Sequence, residues 1–466
     1  MNFGSIADYW IYCALVAIGL VVAILIVGRR IFDPRRIAFI FLAVSAVTYL
    51  VRPIAQFAIA QNFSKLAQFH ERYEPIILQE QTIPLLGVLT AFYLVLFSVG
   101  YRLSAPSGIR FSGNKLSPQS RQRILHFSWV LICVGYFSLF YGRGGVELVK
   151  TEVGAGMVGT SGYFTMLSWW VGVGVLLRIA LTRKYFASAF LAFPWLASYL
   201  LSGFSRYTLI ILFLAVFLLI SFYRATPNRK MYAAMGLLAL AILIPFTMMS
   251  MNRKVFTSGE SLASGLERLQ QVEWYGFLNG FSGFEGSMMT LDRMNRGLDE
   301  PRLGTSLIYE TTVMAIPRRI WSGKPFPPEF HWNYILSLGK DKSLSSSYAP
   351  LFNIFYVRGN LGSSLMEWGL WLFWLNPFFY GLIGGTLERL LLRKGTADQL
   401  RLVIYCLFWA TFCMMGRNTI YDYFGQYMIG LFAPLLLMLW HQTRMEKRRF
   451  SRRITLNPKA RRRMSA

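Results

Sequence analysis

Apolar runs near twenty residues long follow one another along this chain, separated by short polar segments that are alternately rich and poor in Lys and Arg. About eleven such runs can be read: 9–28, 37–57, 81–101, 124–141, 160–181, 185–203, 207–223, 230–250, 364–388, 399–416 and 424–440. Runs of this length match the hydrocarbon thickness of a bilayer. In lipid every backbone N–H and C=O needs an internal partner, so the runs must be helices. Arg52-Pro53 interrupts the second run and Pro194 the sixth. The pattern predicts an all-α polytopic membrane protein with about 11 transmembrane helices. The first eight occupy 1–251, a polar lobe occupies 252–363, the last three occupy 364–441, and a basic tail fills 442–466.

Composition agrees: 55% of the 466 residues are hydrophobic and 16% aromatic, which excludes an ordinary soluble domain. The formal charge of +26 would point to nucleic acid in a soluble protein, but its distribution points to orientation in a membrane. One set of loops carries Arg29, Arg30, Arg35 and Arg36; Arg102, Arg110, Lys115, Arg121 and Arg123; Arg178, Arg183 and Lys184; Arg224, Arg229 and Lys230; and Arg389, Arg393, Lys394 and Arg401. The tail adds Arg448, Arg449 and Arg461 to Arg463, whereas the short intervening loops have far fewer bases: Lys65 and Arg72, Arg143 and Lys150, Arg206, and Arg417. The positive-inside rule places the amino terminus outside, the tail inside, and the 252–363 lobe on the outer face, which requires an odd number of spans. No basic n-region precedes the first run, which reads as an uncleaved anchor. The tail is explained as an orientation signal that also touches anionic lipid, at about 1 kcal/mol per charge; nucleic acid is not an expected partner. Cys13, Cys133, Cys406 and Cys413 all fall inside apolar runs and are expected to pack as small hydrophobes.

The lobe balances its bases with Glu260, Glu267, Glu273, Glu285, Asp292, Asp299, Glu300, Glu310, Glu329 and Asp341, and is aromatic throughout. Helical spacing recurs over 261–278 and 305–316, with Pro317 ending the second segment. Pro325, Pro327 and Pro328 impose an extended stretch, and Trp321, Phe326, Phe330 and Trp332 suit headgroup level. Outer loops at 58–80 and 142–160 can join the same face.

No Walker loop, dinucleotide fingerprint, zincin motif or nucleophile elbow is present, and four histidines with four intramembrane cysteines make no metal site. What remains is a set of outer-face bases: Arg143, Arg206, Arg318, Arg319, Lys324, Arg358 and Arg417. Guanidinium groups hold phosphate through bidentate hydrogen bonds and stay charged when partly desolvated. Outside the cell neither ATP nor a sugar nucleotide is at hand, so the expected substrate is a lipid-linked anion. Candidate acid–base groups are Glu285, Glu310, His331, Glu367 and Asp422. Glu310 falls two turns before Pro317 and Glu367 lies close to the membrane. Ser343, Ser345 to Ser347, Asn353, Asn360 and Gly362 supply polar groups for a sugar, or form a polar turn into the ninth run.

Three features resemble the Wzy-type oligosaccharide repeat-unit polymerases of O-antigen and exopolysaccharide. They are Ile316-Pro317-Arg318-Arg319-Ile320-Trp321-Ser322-Gly323-Lys324-Pro325, the turn Gly203-Phe204-Ser205-Arg206, and the serine-rich run leading through Gly359 and Gly362 into a span ending Gly384-Gly385. One departure is Ala349-Pro350, where a Gly-Glu pair is expected in the family. The resemblance implies a metal-independent glycosyltransferase of the bacterial inner membrane that needs no cofactor. It would join undecaprenyl-diphosphate-linked oligosaccharide units on the outer face, among membrane lipids, with room for a chain-length regulator as partner. Arg206, Arg318 and Arg319 would bind the diphosphate, Lys324 and Arg358 would assist, and either Glu310 or Glu367 would be the base. A flippase or transporter of the same lipid-linked sugar, an O-antigen ligase and an assembly protein are the alternatives.

Overall fold

A computed structural model describes residues 6–55, 82–109, 116–142, 166–201, 206–223, 283–295, 297, 300–313, 316, 321, 323, 359–392, 398–414 and 427–456. Among them the chain is all-helical, with no strand. The expected span at 230–250, the helix at 261–278, the proline-rich stretch, the loops at 58–80 and 142–160, the serine-rich run and the end of the tail lie outside the described residues, wholly or nearly so.

The apolar runs form helices close to where the pattern puts them. These are α1 (Ile6–Val27), α2 (Ile37–Ala46, continued by a π-turn over Val47–Val51), α3 (Thr82–Ser104), α4 (Pro118–Gly142), α5 (Trp170–Thr182), α6 (Tyr185–Leu201) and α7 (Arg206–Tyr223). Among the described residues, four helices are long and apolar enough to cross a bilayer: Ala7–Phe32, Ile37–Ala55, Thr82–Ser104 and Pro118–Phe140. The count rises to five if one bent pair is a single span, and shorter apolar helices accompany them. Apolar side chains also cover outward faces: on α6, Phe186, Phe190 and Phe193 recur at helical spacing, and Phe186 is 93% exposed. Such a face suits lipid.

The ninth run differs from the expectation of one continuous helix over 364–388. It is two helices, α10 (Gly359–Leu372) and α11 (Leu375–Leu391), whose axes turn by 116°. The cause is local. Gly369 sits at φ 69° and ψ 179°, which breaks the helical ladder inside α10, and only glycine takes that conformation without strain. Pro301 and Met294 pack against the vacated Cβ position. The lobe contributes α8 (Gly283–Asn295), which the sequence pattern did not suggest, and α9 (Thr305–Ile308) with a π-turn over Tyr309–Val313. The chain closes with α12 (Gln399–Met414) and α13 (Ala433–Leu456), the latter entered through a π-turn at Met428–Phe432.

Close helix contact uses small residues. α3 carries Gly100 and Ser104, and α11 carries Gly381 and Gly385, each pair four apart. A side chain at Gly381 would run into the Phe97 carbonyl, and one at Gly385 into Ser104. This small-xxx-small pairing lets two backbones touch where lipid offers no hydrophobic drive for association. Stacked Phe41 and Phe97, 3.6 Å between centroids, tie α2 to the same α3 surface. α8 and α10 lie side by side, with Gly362 against Ser287 and Gly359 against Gly283.

Candidate functional site

Two polar clusters are built into the apolar bundle, at opposite ends of α3. At one end, Arg36 precedes α2 with an extended backbone and is 3% exposed. Its Nη1 lies 3.2 Å from Glu388 Oε2 in the last turn of α11. Glu388 also accepts from the Tyr101 hydroxyl at 2.7 Å, the Ile37 N–H at 2.8 Å and the Tyr405 hydroxyl at 3.3 Å. Arg36 donates further to the Pro106 and Ser107 carbonyls, each at 3.1 Å. Burial pulls the Arg36 pKa down, but Tyr101, Glu388 and Asp33 outweigh it and leave the guanidinium above its ordinary value. Glu388 thus ties α2, α3, α11 and α12 together, while the Tyr405 hydroxyl, with its single proton, lies closer to the Arg35 carbonyl, at 2.6 Å.

The same end gathers the basic loops. Arg121 Nη2 donates to the Leu181 carbonyl at 2.8 Å, Arg183 stacks on Tyr223 at 4.8 Å, and Arg35 stacks on Phe222 at 5.3 Å. Phe222 in turn meets Tyr405, which joins both groups into one layer. The alternation of basic loops thus corresponds to one physical end of the bundle.

The second cluster surrounds α10 and holds Glu367, one of the two expected catalytic carboxylates. Glu367 is 2% exposed and its Oε2 accepts the Ser306 N–H at 3.3 Å. Arg302 clamps the same junction, donating its N–H to the Met366 carbonyl at 2.9 Å and Nη1 to Ser306 Oγ at 3.4 Å. Beneath them, Trp368 Nε1 donates to Asn376 Oδ1 at 2.8 Å, and Asn376 Nδ2 to Ser364 Oγ at 3.0 Å. The first turn of α10 is pinned by Leu361 N–H to Tyr49 Oη at 3.2 Å and by Gly362 N–H to Ser287 Oγ at 3.0 Å. Thr82 Oγ1 donates to the buried Asp292 at 3.4 Å. One turn past Tyr49, Arg52 is buried to 2% exposure. Of the polar stretch Ser343 to Gly362, expected to supply groups for a sugar or a turn into the ninth run, the described part from Gly359 on is helix, its first turn held by Tyr49 and Ser287.

Within this cluster two groups are left over. Both side-chain atoms of Asn360 and the Ser363 hydroxyl are buried without a hydrogen-bond partner. They lie three residues apart on α10, hence on one face. A buried amide without partners costs about 1–3 kcal/mol, and such a group at a broken helix is a place for a ligand's polar atoms.

Arg143, Arg318, Arg319, Lys324, Arg358, Arg417, His331 and Asp422 lie outside the described residues. The structure describes the backbone of Arg206, the first residue of α7, and of Glu310, in the π-turn after α9, and no more of either. Of the expected site residues, Glu367 is therefore the one whose surroundings are defined. Sequence reasoning missed Arg52, which reads there only as an interruption, and Asp292, hidden among many lobe acids. The one available signal was a charged residue inside an apolar run. All four cysteines are free; Cys13 and Cys406 are buried as expected, whereas Cys133 is exposed on α4. Among the described residues no three His, Cys, Asp or Glu side chains converge.

Comparison of the chain with protein-family models, curated proteins and solved structures found no match in any of the three.

Proposed function

We propose that this protein is a glycosyltransferase of a bacterial inner membrane that polymerises lipid-diphosphate-linked oligosaccharide units on the outer face. The observation that carries this reading is Glu367, a buried carboxylate at a broken helix beside two unpaired polar groups, Asn360 and Ser363. Taking the Arg36 end as inside, by the charge of its loops, the α10 cluster belongs to the outer half. The chain would then have about eleven spans, with the amino terminus outside.

In this reading the acceptor hydroxyl of the incoming unit is deprotonated by Glu367 or Glu310, and attacks the anomeric carbon of the donor. The carbon–oxygen bond to the lipid diphosphate breaks, and the diphosphate leaves as an anion held by guanidinium groups. Arg318 and Arg319, with Arg206, Lys324 and Arg358, supply that charge, and Arg143 and Arg417 line the same face. A carboxylate base and an arginine clamp suffice for this chemistry without a metal ion.

A second reading has its own support. Helices broken near mid-membrane mark the substrate sites of secondary transporters, and α10–α11 turns by 116°. A transporter of the same lipid-linked sugar would use the α10 cluster for binding without chemistry.

The deciding experiment is a surface-polysaccharide gel from a deletion strain, complemented with wild type, Glu367→Gln and Arg318→Ala. Single-unit product that wild type alone restores to long chains supports the polymerase. Normal chain lengths without the gene overturn it. Lipid-linked units trapped on the inner leaflet favour the transporter, and long chains stranded on carrier lipid favour a ligase.

A further inference from the structure

Arg178 stands inside the apolar helix α5, one turn before its last residue, Thr182. It is half-buried, and its guanidinium lies 4.3 Å from the centre of the Trp129 ring on α4. Among the described residues that guanidinium meets no hydrogen-bond acceptor and no carboxylate. A charge at membrane depth needs a partner, and a ring face engages only the flat side of the fork of N–H donors. The donors along its edge remain available for bidentate contact with phosphate. We propose that Arg178 and Trp129 hold the phosphate of an anionic phospholipid of the inner leaflet, with Arg121 as the second cation. The proposal requires only that these helices lie in a bilayer with the basic loops inside, and is independent of the catalytic reading.

Geometry sets the depth. α4 and α5 run antiparallel: Arg121 Nη2 donates to the Leu181 carbonyl, and Gly174 lies against the Ser128 carbonyl. Helical side chains tilt toward the N-terminus of their own helix. Trp129 therefore leans toward the basic end and Arg178 away from it, and the two meet just inside the layer of Arg121. Arg121, Leu125 and Trp129 follow at four-residue spacing along one strip of α4, so Arg121 stands over the pair at headgroup level. Beyond it, Trp129, Val130, Phe137 and Phe140 are exposed on one face of the same helix and give the acyl chains an apolar lane.

Charge selects a net anion. The sequence has no Asp or Glu between Glu80 and Glu147, nor between Glu152 and Glu260, so α4 to α7 carry none. Three acids at the basic end have described side chains, and each is engaged elsewhere. Arg35 holds Asp33 bidentately at 2.8 and 2.9 Å, Arg36 meets Glu388 at 3.2 Å, and Asp398 accepts the Arg401 backbone N–H at 2.9 Å. An ammonium headgroup would meet the exposed Arg121, Arg183 and Lys184 with no acid on these helices to answer it. Basic sites between helices at headgroup level are suited to anionic lipid.

The test uses the purified full chain in dodecylmaltoside, titrated with phosphatidylglycerol or with phosphatidylcholine of the same acyl chains. Native mass spectrometry counts retained lipid and a melting curve reports the stabilisation. Phosphatidylglycerol is expected to remain bound and to raise Tm more than phosphatidylcholine. Arg178→Gln should weaken its apparent affinity about fivefold, the worth of one headgroup charge. Trp129→Leu, at a position 42% exposed, should also weaken it while leaving every charge in place. Arg123→Gln is the control: it removes the same charge from a position roughly 200° around α4 from Arg121, and should bind phosphatidylglycerol as wild type does. Equal losses in Arg123→Gln and Arg178→Gln would reduce the effect to the general field of the basic loops and overturn the site. Equal retention of the two lipids, or binding untouched by both Arg178→Gln and Trp129→Leu, overturns it as well. So does inorganic phosphate that raises Tm as much as phosphatidylglycerol, since the ligand would then be a free anion.

Discussion

Arg36 and Glu388 stand 352 positions apart in sequence and 3.2 Å apart in the fold. Their side chains are 4% and 0% exposed, so each charge is neutralised in a place that water does not reach. Breaking such a pair strands one charge, at a cost of about 3–5 kcal/mol. Glu388→Ala or Arg36→Ala should therefore sharply lower the melting temperature and yield of detergent-solubilised protein. The double variant Arg36→Met/Glu388→Leu should recover much of the loss. Equal instability of double and single variants would show that the hydrogen bonds to Tyr101, Ile37 and Pro106 matter more than the charges.

The contact between α3 and α11 makes a sharper prediction. Leucine at Gly381 would meet the Phe97 carbonyl, which is rigid backbone. Gly381→Leu should force the helices apart and abolish monodisperse protein in size-exclusion chromatography. Leucine at Gly108, where nothing lies within 4 Å, is the control and should behave as wild type.

Glu367 and Glu310 compete for the role of base. Glu367→Gln keeps an oxygen to accept the Ser306 N–H, so the fold should survive with a stability change of about 1 kcal/mol or less, while polymer disappears from the gel. If Glu367→Gln polymerises normally and Glu310→Gln does not, the base is Glu310 and the buried carboxylate serves α10 alone.

Asn360 separates stability from function in the opposite sense. Its amide is buried without partners, and Asn360→Leu replaces it with an apolar group of similar size. The variant should melt at a higher temperature, by the equivalent of about 1–3 kcal/mol, and yet lose polymer length or yield. A destabilised Asn360→Leu would count against an idle amide in the free protein, and a fully active one against its use by substrate.

Much of the helical plan was legible in sequence. Starts and ends of α1, α3, α6, α7 and α12, and the end of α4, fall within a few residues of the apolar runs, because a helix in lipid satisfies its own backbone and needs only a stretch of apolar side chains. The alternation of basic loops likewise anticipated that Arg35, Arg36, Arg121 and Arg183 would share one end. The α10 cluster was legible at Glu367 and at Asn360, the one as a candidate base and the other as a polar group for a sugar. Of its other members, Tyr49, Ser287 and Arg302 come from three distant segments and Asn376 from the helix that follows, and no local pattern signals which polar residue will meet which.

The amino-acid sequence by itself determined the all-helical character, the apolar faces and the layering of charge, since each depends on neighbours within a turn or two. Tertiary structure decided the rest. It broke the ninth run at Gly369, where Pro301 and Met294 pack against a conformation open to glycine. It laid α8 beside α10 through Ser287 and Gly362, and brought Glu388 back to Arg36. These outcomes rest on contacts between segments tens to hundreds of residues apart, and long-range packing selects among turns and pairings that local propensity leaves equally open.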